Sequence, residues 1–520
     1  MVLYNLLSQT AMMYPDNLAV ICGESRYTYA HFKERVDKLA YGLSSNDINK
    51  NDKVAVISRN CHRFLEAYFA AAKLGAILVP VNFRLAPNDF VYILNNSQAP
   101  VLIAQPELIL WLWERIEDIP NVDNIILIDS KNPDEYDEGP LGWESSIKDS
   151  EEKRPLKVSE SDIAQIYYSS GTTGRPKGII LTHKNNWVHA EGTIVELGLS
   201  SEDKWLHVSP MFHLADAWAV WSITKVGATH VMVPSFEPEL VLETIQEHKV
   251  TLTNFIPTML NILVNQPNVR NYDFSSLRLI MSGGAPIAKE VVRKTIDIFG
   301  CDYIQTYGLT ETSPFLTMSI LKEEMKYLPF EERLRYMLTT GRPFYNVELK
   351  VVKEDGSEVM PNEEEVGEII VKGDIVTPGY WQLPEETEKR LVDGWLYTRD
   401  LAVVNSEGYV TIVDRKDDVI ITGGENVYSI EVEDVLYSNP NVLEAAVIGL
   451  PDQIWGEKVT AVVVLKEGKE VSEDEIISYC KDKIAHFKTP KKVIFTDTLP
   501  KTGSAKIYKY QLRERYGEEK

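Results

Sequence analysis

A short stretch rich in glycine and hydroxyl side chains, residues 167–178, has the residue types that bind phosphate. It reads YYSSGTTGRPKG and contains three glycines, four serine or threonine hydroxyls and two cationic side chains. Glycines let backbone amides approach an anion, hydroxyls donate hydrogen bonds, and Lys177 supplies positive charge. The stretch therefore predicts a polyphosphate site, with an exposed, flexible Gly/Ser/Thr loop as the structural alternative.

The spacing of this stretch differs from that of the Walker A loop, GxxxxGK[ST]. Lys177 follows Pro176 and precedes Gly178, so the glycine before the lysine and the magnesium-binding hydroxyl after it are both missing. The spacing argues against a P-loop NTPase, and the phosphate chemistry must be of another kind.

The chain around this stretch alternates amphipathic helical segments with short apolar runs. The sequences KVAVIS (53–58) and RFLEAYFAAAKLGAILVPVN (63–82) predict a strand, a helix and a second strand. Residues 242–257 and 277–286 repeat the order of helix and then apolar strand. This alternation favours an α/β fold with buried, largely parallel sheets.

The pattern changes after about residue 340. Short strands joined by turns are predicted at 347–359, 366–375 and 408–415, as in a β-rich subdomain. From about residue 418 onward, helices and strands alternate again, which predicts a small α+β domain.

Composition and charge limit the classes of partner. A chain of 520 residues exceeds what one hydrophobic core usually supports, so two or more domains are expected. The formal net charge of −23 argues against a nucleic-acid or anionic-membrane partner, and an anionic substrate must be attracted by local cations. No run approaches the roughly 18 apolar residues of a membrane span, and the N-terminus is a poor signal peptide. We expect a cytoplasmic protein.

Five further motifs follow the phosphate stretch in order. They are SGGAP (282–286), YGLTET (307–312), GWLYTRD (394–400), DRKDDVIITGGENVYSIEVE (414–433) and LPKTGSAKI (499–507). With them the chain closely resembles the adenylate-forming superfamily, the acyl-CoA synthetase or AMP-binding enzyme family, over nearly its whole length. Within that family, its sequence most resembles short-chain, medium-chain or general fatty acyl-CoA ligases, including methylthioalkanoate-CoA ligases.

The resemblance implies a domain organisation. It indicates an α/β chain with a large N-terminal domain of two αβ sheet subdomains plus a β-rich subdomain, and a small mobile α+β C-terminal domain. The N-terminal AMP-binding domain is expected at residues 1–414, with its β-rich subdomain at about 340–414. The C-terminal domain, residues 415–520, is expected to carry the catalytic lysine.

The resemblance also implies two half-reactions that use ATP, Mg²⁺ and CoA. A carboxylate attacks the α-phosphate of ATP and gives an acyl-adenylate and pyrophosphate, after which the CoA thiol displaces AMP. The first step brings an anion to an anionic phosphate, so donors and cations must neutralise the charge that develops.

ATP-binding roles follow from the resemblance residue by residue. The phosphate loop contributes Ser169, Ser170, Gly171, Thr172, Thr173, Gly174 and Lys177; the adenine wall, Gly284, Ala285 and Pro286; the YGLTE motif, Tyr307, Gly308 and Thr310; the ribose site, Asp400 and Arg415. Glu311 is expected to bind Mg²⁺, an ion that accepts one carboxylate alongside water and phosphate oxygens. A solvated glutamate and a structural Asp–Arg pair are the alternatives for Glu311 and for the ribose residues.

The catalytic set that the resemblance implies consists of Lys506, Thr310, Glu311 and His213. Lys506 is expected to reach the α-phosphate and the carboxylate during adenylation. The C-terminal domain must then rearrange for the second step, and Asp417 occupies the hinge position, where a few residues absorb large backbone changes. The expected CoA tunnel contains Gly423, Gly424 and Glu425.

The acyl pocket is the least defined part of the site. It is expected at His213, Trp218, Gly283 and Thr312, with Trp187, His189 and Trp221 as further candidates. Histidine and tryptophan at these positions have core packing as the alternative. No lysine or arginine in these segments obviously suits a charged acid, so an apolar pocket is expected.

These observations together predict an ATP-dependent, AMP-forming acid:CoA ligase for a short- or medium-chain fatty acid. An aryl-acid ligase of the coumarate or benzoate type and an acyl-adenylate synthetase that loads a carrier protein stay open. An inactive, binding-only relative is the alternative outside the enzymes. No nucleic-acid partner and no transmembrane segment are expected, and a homodimer is left open.

Overall fold

A computed structural model of the chain describes residues 1–128, 141–143, 157–169, 175–501 and 507–517. These residues form two compact units. The first contains the described residues of 1–169, 176–349 and 371–396, and the second contains Arg175, 350–370 and the described residues of 397–520. The sequence NPDEYDEGP, residues 132–140, whose acidic composition predicts a solvated surface loop, lies outside the described residues.

A seven-stranded sheet of the first unit carries the hairpin on either side of the phosphate stretch. Its strands, in sheet order, are Leu141–Gly142, Asn124–Leu127, Val101–Ala104, Lys53–Ile57, Ile77–Pro80, Ile163–Ser169 and Lys177–Thr182. All neighbours are parallel except the last two strands, which pair antiparallel. Its helical segments are His62–Leu74, Pro87–Ser97, Pro106–Leu108 and Leu110–Asp118.

A nine-stranded sheet forms the other half of the first unit. Its order is Arg342–Pro343, Phe315–Met318, Asp302–Gly308, Leu279–Gly283, Leu252–Phe255, Lys204–His207, Thr229–Met232, Leu18–Cys22 and Ser25–Thr28. Its central strands are parallel, and both edges are antiparallel. The first strand along the chain therefore joins strands that come some 200 residues later.

Helices cover both sheets of the first unit. The α-helices are Tyr4–Met13, Tyr29–Ser45, His183–Leu197, Leu214–Ala217, Ala219–Val226, Pro238–His248, Pro257–Val264, Lys289–Phe299, Phe330–Met337 and Pro384–Arg390, in addition to the two already named. Short 3₁₀ helices span Val269–Asn271, Thr310–Thr312 and Glu323–Tyr327. Helix His183–Leu197 begins at a capping box of Thr182 with Asn185 and ends at Gly198, whose φ is +56°. Buried apolar side chains fill the space between helices and sheets.

A five-stranded sheet contains the predicted β-rich stretch. Strands Glu348–Val352, Gly367–Lys372, Trp395–Val404 and Leu391–Val392 follow one another in the sheet, and Val410–Arg415 pairs with Trp395–Val404. The stretch contributes residues to both compact units. The boundary between residues 414 and 415 was predicted to separate the N-terminal domain from a mobile C-terminal domain, and it stays a prediction.

The last part of the second unit is a small α+β arrangement. Its strands are Glu425–Val427, Ile420–Thr422, Gly456–Leu465 and Val442–Asp452 in sheet order, with Lys492–Phe495 parallel to Gly456–Leu465. Its helices are Ser429–Tyr437, Glu473–Lys481 and Lys509–Gly517. The predicted fold class, α/β with a large sheet-rich part and a small α+β part, is confirmed. No helix among the described residues is both long and apolar enough to cross a bilayer.

Candidate active site

Two antiparallel strands of the first unit flank the predicted phosphate-binding stretch. Ser169 ends one strand and pairs directly with Lys177, which begins the next. Lys177 Nζ forms an ion pair with Glu386 Oε1 at 2.8 Å. Lys177 therefore holds a protein carboxylate where a phosphate was expected. Five predicted residues of the phosphate loop lie outside the described residues: Ser170, Gly171, Thr172, Thr173 and Gly174.

Several other predicted residues follow the carboxyl ends of neighbouring parallel strands. The four strands that lie side by side are Lys204–His207, Leu252–Phe255, Leu279–Gly283 and Asp302–Gly308. His213 follows the first of them, the predicted adenine wall follows the third, and the turn that holds Glu311 follows the fourth. Ligands of open α/β sheets bind at this edge, where the strands end.

Two adjacent glycines end strand Leu279–Gly283 for different reasons. A Cβ on Gly283 would overlap the side-chain oxygen of Thr306, whereas Gly284 has open space but a φ of +85°. Ala285 and Pro286 are exposed, and the Ala285 carbonyl accepts a hydrogen bond from Gln305 Nε2 at 3.3 Å. The exposed backbone is suited to the adenine wall, which stays a prediction.

A tight turn carries Thr310 and Glu311. Gly308 precedes it and must be glycine, because a Cβ there would overlap the Pro314 carbonyl oxygen. The buried Thr312 hydroxyl donates to Pro314 O at 2.5 Å and accepts from the Leu309 amide at 3.1 Å. Thr312, predicted in the acyl pocket, thus fastens the turn on which Glu311 lies.

A buried tyrosine fixes the Glu311 carboxylate. Tyr380 Oη donates a hydrogen bond to Glu311 Oε1 at 2.8 Å. Burial, and then the charge of Glu311, raise the pKa of the Tyr380 phenol well above its usual range, so the phenol keeps the proton that it donates. Tyr307, also predicted at the nucleotide, is half-buried.

His213 caps the short helix Leu214–Ala217. Its Nδ1 accepts a hydrogen bond from the Ala215 amide at 3.1 Å, which makes Nε2 the protonated nitrogen of the neutral ring. The side chain is half-buried, so it keeps access to a ligand. Its role beside the carboxylate stays a prediction.

A buried chain of polar side chains underlies this short helix. Asp216 Oδ2 bonds to His207 Nδ1 at 2.5 Å, and His207 Nε2 bonds to His230 Nδ1 at 2.9 Å. Trp205 Nε1 donates to the other Asp216 oxygen at 3.2 Å, and Thr224 Oγ1 bonds to His230 Nε2 at 2.9 Å. Burial, and then His207, keep the pKa of His230 well below its ordinary value. The network fixes Asp216, and with it the helix that His213 caps.

The aromatic candidates for the acyl pocket are core residues. Trp218 is fully buried between Trp205 and Phe315, with ring centroids 4.7 and 5.2 Å away. Trp221 is buried against Tyr68 and Phe69. Their part in acid selection stays a prediction.

The other two aromatic candidates lie on helix His183–Leu197. His189 is buried, stacks on Phe344 and accepts the Phe315 amide at 3.2 Å. Trp187 is half-buried and donates to Glu191 at 2.9 Å. His189 thus packs in the core, which was the alternative to a place in the acyl pocket.

The predicted ribose residues form an ion pair in the second unit. Asp400 and Arg415 are opposite each other on paired strands, and Arg415 Nε donates to Asp400 Oδ1 at 3.0 Å. The Asp400 side chain is 5% exposed, whereas that of Arg415 is 42% exposed. The ion pair fits both interpretations of these residues, a ribose site and a structural Asp–Arg pair, so the ribose role stays a prediction.

Ion pairs surround the predicted hinge. Arg399 Nε donates to Asp417 Oδ2 at 2.9 Å, and Lys416 Nζ bonds to Glu368 Oε2 at 3.0 Å. Glu368 also accepts the Arg399 amide at 3.0 Å. Arg399 has a φ of +66°, unusual for a residue with a side chain. A backbone rotation that carries the Asp417 side chain away from Arg399 would break this ion pair.

The predicted CoA-tunnel residues form an exposed tight turn. Gly423 and Gly424 have φ values of +61° and +85°, and Glu425 is exposed. The Gly423 amide donates to the Trp455 carbonyl at 2.8 Å, and the Trp455 side chain is half exposed beside the turn. Lys506, the predicted catalytic lysine, lies outside the described residues.

Three residues of these contacts escaped the sequence analysis: Tyr380, Glu386 and Arg399. Each acts through a partner already predicted, respectively Glu311, Lys177 and Asp417. Arg399 stands next to Asp400 within the GWLYTRD motif and could have been found there. Tyr380 and Glu386 lie in no motif, and the sequence carried no signal for them.

Sequence profiles identify the family. The profile of AMP-binding enzymes matches residues 7–381, and that of the AMP-binding enzyme C-terminal domain matches residues 431–506. The chain belongs to the AMP-binding enzyme family. The predicted class, an AMP-forming acyl-CoA synthetase that uses ATP, Mg²⁺ and CoA, is confirmed.

Individual relatives match almost the whole chain. A feruloyl-CoA synthase of Amycolatopsis is 36% identical over 98% of this chain and 97% of its own. A 4-hydroxybutyrate–CoA ligase of Metallosphaera sedula is 34% identical over 98% and 93%. The structure of O-succinylbenzoate coenzyme A synthetase from Bacillus subtilis, in complex with ATP and magnesium ion, is 30% identical, covers 98% and 99%, and superposes with a TM-score of 0.84.

Proposed function

We propose that this chain activates an apolar carboxylic acid with ATP and transfers the acyl group to CoA. In the first step a carboxylate oxygen attacks the α-phosphorus, the bond to the β-phosphate oxygen breaks, and pyrophosphate leaves. In the second step the CoA sulfur attacks the acyl carbon, the bond to the phosphate oxygen breaks, and AMP leaves.

One structural observation carries the proposal for the first step. The strand that begins at Lys177 and the turn that holds Glu311 are tied by Thr377, whose amide donates to Glu311 O at 2.8 Å and whose hydroxyl donates to Ile180 O at 2.6 Å. The strand that carries the cationic Lys177 and the turn that carries the Glu311 carboxylate are thereby held together by hydrogen bonds. This is the pair of charges that a magnesium triphosphate needs.

The proposed acid is a short- or medium-chain fatty acid. The segment that surrounds His213, residues 210–218, buries Met211, Phe212 and Trp218 and contains no lysine or arginine, so a second carboxylate on the substrate would find no cation in this segment. An aryl acid is the second candidate. The similarity to a feruloyl-CoA synthase and to an O-succinylbenzoate synthetase supports it.

The experiment measures AMP and pyrophosphate release with Mg-ATP across a panel of acids, each with and without CoA. The panel runs from acetate to palmitate and includes 4-hydroxybutyrate, methylthiopropionate, benzoate, coumarate and ferulate. Sustained AMP release that needs CoA supports the ligase, and the best acid decides between the two candidates. Release of about one pyrophosphate per enzyme, whether or not CoA is added, would contradict CoA as the acceptor and favour a carrier protein.

A further inference from the structure

One segment of the first unit contacts both charged groups that the proposed function assigns to magnesium triphosphate. We call residues 377–387 the bridging segment. It runs along strand Lys177–Thr182: the Ile180 amide donates to Gly379 O at 3.1 Å, and the Trp381 amide donates to Gly178 O at 2.7 Å. Thr377 adds the bond to the Glu311 carbonyl. The segment is thereby fixed against both the lysine strand and the glutamate turn.

The first side chain of interest in the bridging segment is Tyr380. It is 6% exposed, and its hydroxyl donates to Glu311 Oε1. In the part of the chain that the structure describes, no donor bonds to the other carboxylate oxygen, Oε2. One oxygen of Glu311 is thus held by the protein, and the second is left for a cation.

The second side chain is Glu386, on helix Pro384–Arg390. Its carboxylate pairs with Lys177 at 2.8 Å, and both side chains are about one quarter exposed. Burial alone would raise the pKa of Glu386, but the bond to Lys177 and its charge outweigh burial and hold the pKa below its ordinary value. Glu386 is therefore negatively charged at neutral pH, where it contacts Lys177.

We propose that the bridging segment sets the affinity for ATP through two opposed contacts. Tyr380 is a positioning residue that directs Glu311 toward Mg²⁺, and Glu386 competes with the triphosphate for Lys177. The inference rests on the proposed function, in which Glu311 and Lys177 bind magnesium triphosphate. It adds Tyr380 and Glu386 to the residues that affect ATP binding, on the basis of their contacts with Glu311 and Lys177.

The effect of Tyr380 follows from the coordination that Mg²⁺ prefers. The ion demands near-octahedral geometry and takes few protein oxygens, so a carboxylate that offers one fixed oxygen suits it. Without the phenol, Glu311 gains rotational freedom and must lose it again when the ion binds. Removal of the hydroxyl should therefore weaken the contribution of Mg²⁺ to ATP binding and leave binding of free ATP unchanged.

The effect of Glu386 has the opposite sign. Lys177 can bind a phosphate oxygen with full charge only after it releases the Glu386 carboxylate, and the carboxylate itself repels the triphosphate. Neutralising Glu386 should strengthen ATP binding to the same degree with and without Mg²⁺. The two contacts thus predict two separable changes.

Isothermal titration calorimetry of ATP, without any acid so that no turnover occurs, tests both. It is run with Mg²⁺ and with EDTA on the wild type, Y380F and E386Q. We expect Y380F to reduce the Mg²⁺-dependent gain in affinity about 5-fold to 10-fold, as loss of one charge-assisted hydrogen bond implies, and to leave affinity in EDTA within about 2-fold. We expect E386Q to tighten ATP binding about 3-fold to 10-fold in both conditions.

Two matched variants control for the loss of a hydroxyl and of a charge. Y29F removes a buried phenol that bonds to the Ala228 carbonyl at 2.5 Å, and E331Q removes a carboxylate that pairs with Lys289 at 3.0 Å. Both should bind ATP like the wild type. A Y380F protein with the wild-type gain from Mg²⁺, or with an equal loss in EDTA, would overturn the positioning role. An E386Q protein with wild-type or weaker affinity would overturn the competition.

The outcomes separate this inference from the proposed function. If the wild type binds Mg-ATP but forms no AMP with any acid, the proposed function fails, while the calorimetry still decides the roles of Tyr380 and Glu386. If the acid panel succeeds and the variants bind ATP like the wild type, the inference alone fails. A wild type without affinity for Mg-ATP overturns both.

Discussion

Asp400 and Arg415 are directly opposed on two antiparallel strands, and the buried Asp400 carboxylate accepts a hydrogen bond from the partly exposed Arg415 guanidinium. A structural ion pair needs only this bond. A ribose site needs in addition that the carboxylate accept from two hydroxyl groups. If the predicted ribose site is right, Arg415 fixes the carboxylate to which the ribose hydroxyls donate.

Substitution D400N should distinguish these roles. The neutral amide is a weaker acceptor for ribose hydroxyls, and loss of a hydrogen bond to a charged group costs about 1.5–3 kcal/mol, so we expect the Kd for ATP to rise about 10-fold to 100-fold. Calorimetry without acid gives this value. The control is D203N, because the buried Asp203 forms a comparable ion pair with the partly exposed Arg278 at 2.9 Å, and both residues directly precede strands of the nine-stranded sheet. If both variants lose stability but neither loses ATP affinity, Asp400 has a structural role alone.

Thr312 offers a test of the acyl-pocket prediction. T312V keeps the shape of the side chain but removes the hydrogen bonds of its hydroxyl to Leu309 and Pro314, which should loosen the turn at Glu311 at a cost of about 1–3 kcal/mol. We expect a higher KM for Mg-ATP, an unchanged order of preference among the acids, and recovery in T312S. A changed order of acids with an unchanged KM for Mg-ATP would instead support contact with the acyl group.

The two half-reactions should separate in variants of Lys506 and Asp417. K506A should lower acyl-adenylate formation about 100-fold or more, since a cation at the α-phosphate is lost, and should spare thioester formation from a supplied acyl-adenylate. D417P should do the reverse, because proline restricts the backbone rotation at the predicted hinge and the Arg399 pair is lost. Single-turnover assays of each step measure both. Equal loss of both steps in both variants would contradict domain alternation.

Acid should destabilise the first unit through two buried histidines of helix His183–Leu197. Burial lowers the pKa of His189 to about 3 and that of His183 to about 4. With folded values below that of the unfolded chain, the stability that they contribute is complete above about pH 6.5 and falls as the pH falls below it. We expect each to contribute a loss of about 2 kcal/mol in unfolding free energy between pH 6.5 and 5.

Urea unfolding of H189Q against the wild type measures this slope. Glutamine can accept the Phe315 amide without taking up a proton, so H189Q should lose stability less steeply between pH 6.5 and 5. H31Q, which changes an exposed histidine, is the control and should follow the wild type. An unchanged slope in H189Q would show that another group takes up the proton.

The hydrophobic periodicity of the chain was sufficient to predict its helices and strands, but it did not predict which strands pair with each other. The apolar runs at 53–58 and 277–286 became parallel strands, because a continuous apolar run is typical of a strand buried on both faces. Nothing local indicated that Leu18–Cys22 pairs with Thr229–Met232, since that choice depends on how helices from distant parts of the chain pack.

The site shows the same limit. Glycine, lysine and glutamate positions were predictable because motifs carry them in fixed spacing. The bond from Tyr380 to Glu311 joins residues 69 positions apart, and no spacing rule covers that distance. Trp218 and His189 were ambiguous for another reason: an aromatic side chain in an apolar segment has the same sequence signature whether it packs in a core or borders a pocket.

The chain passes between its two compact units more than once, and this has a consequence for synthesis on the ribosome. Residues 350–370 leave the ribosome before 371–396, which belong to the first unit, and before 397–520, which complete their own. Strand Gly367–Lys372 must wait for Trp395–Val404, its neighbour in the sheet. A chain that ends near residue 396 and has left the ribosome would therefore expose that strand edge to chaperones or to aggregation.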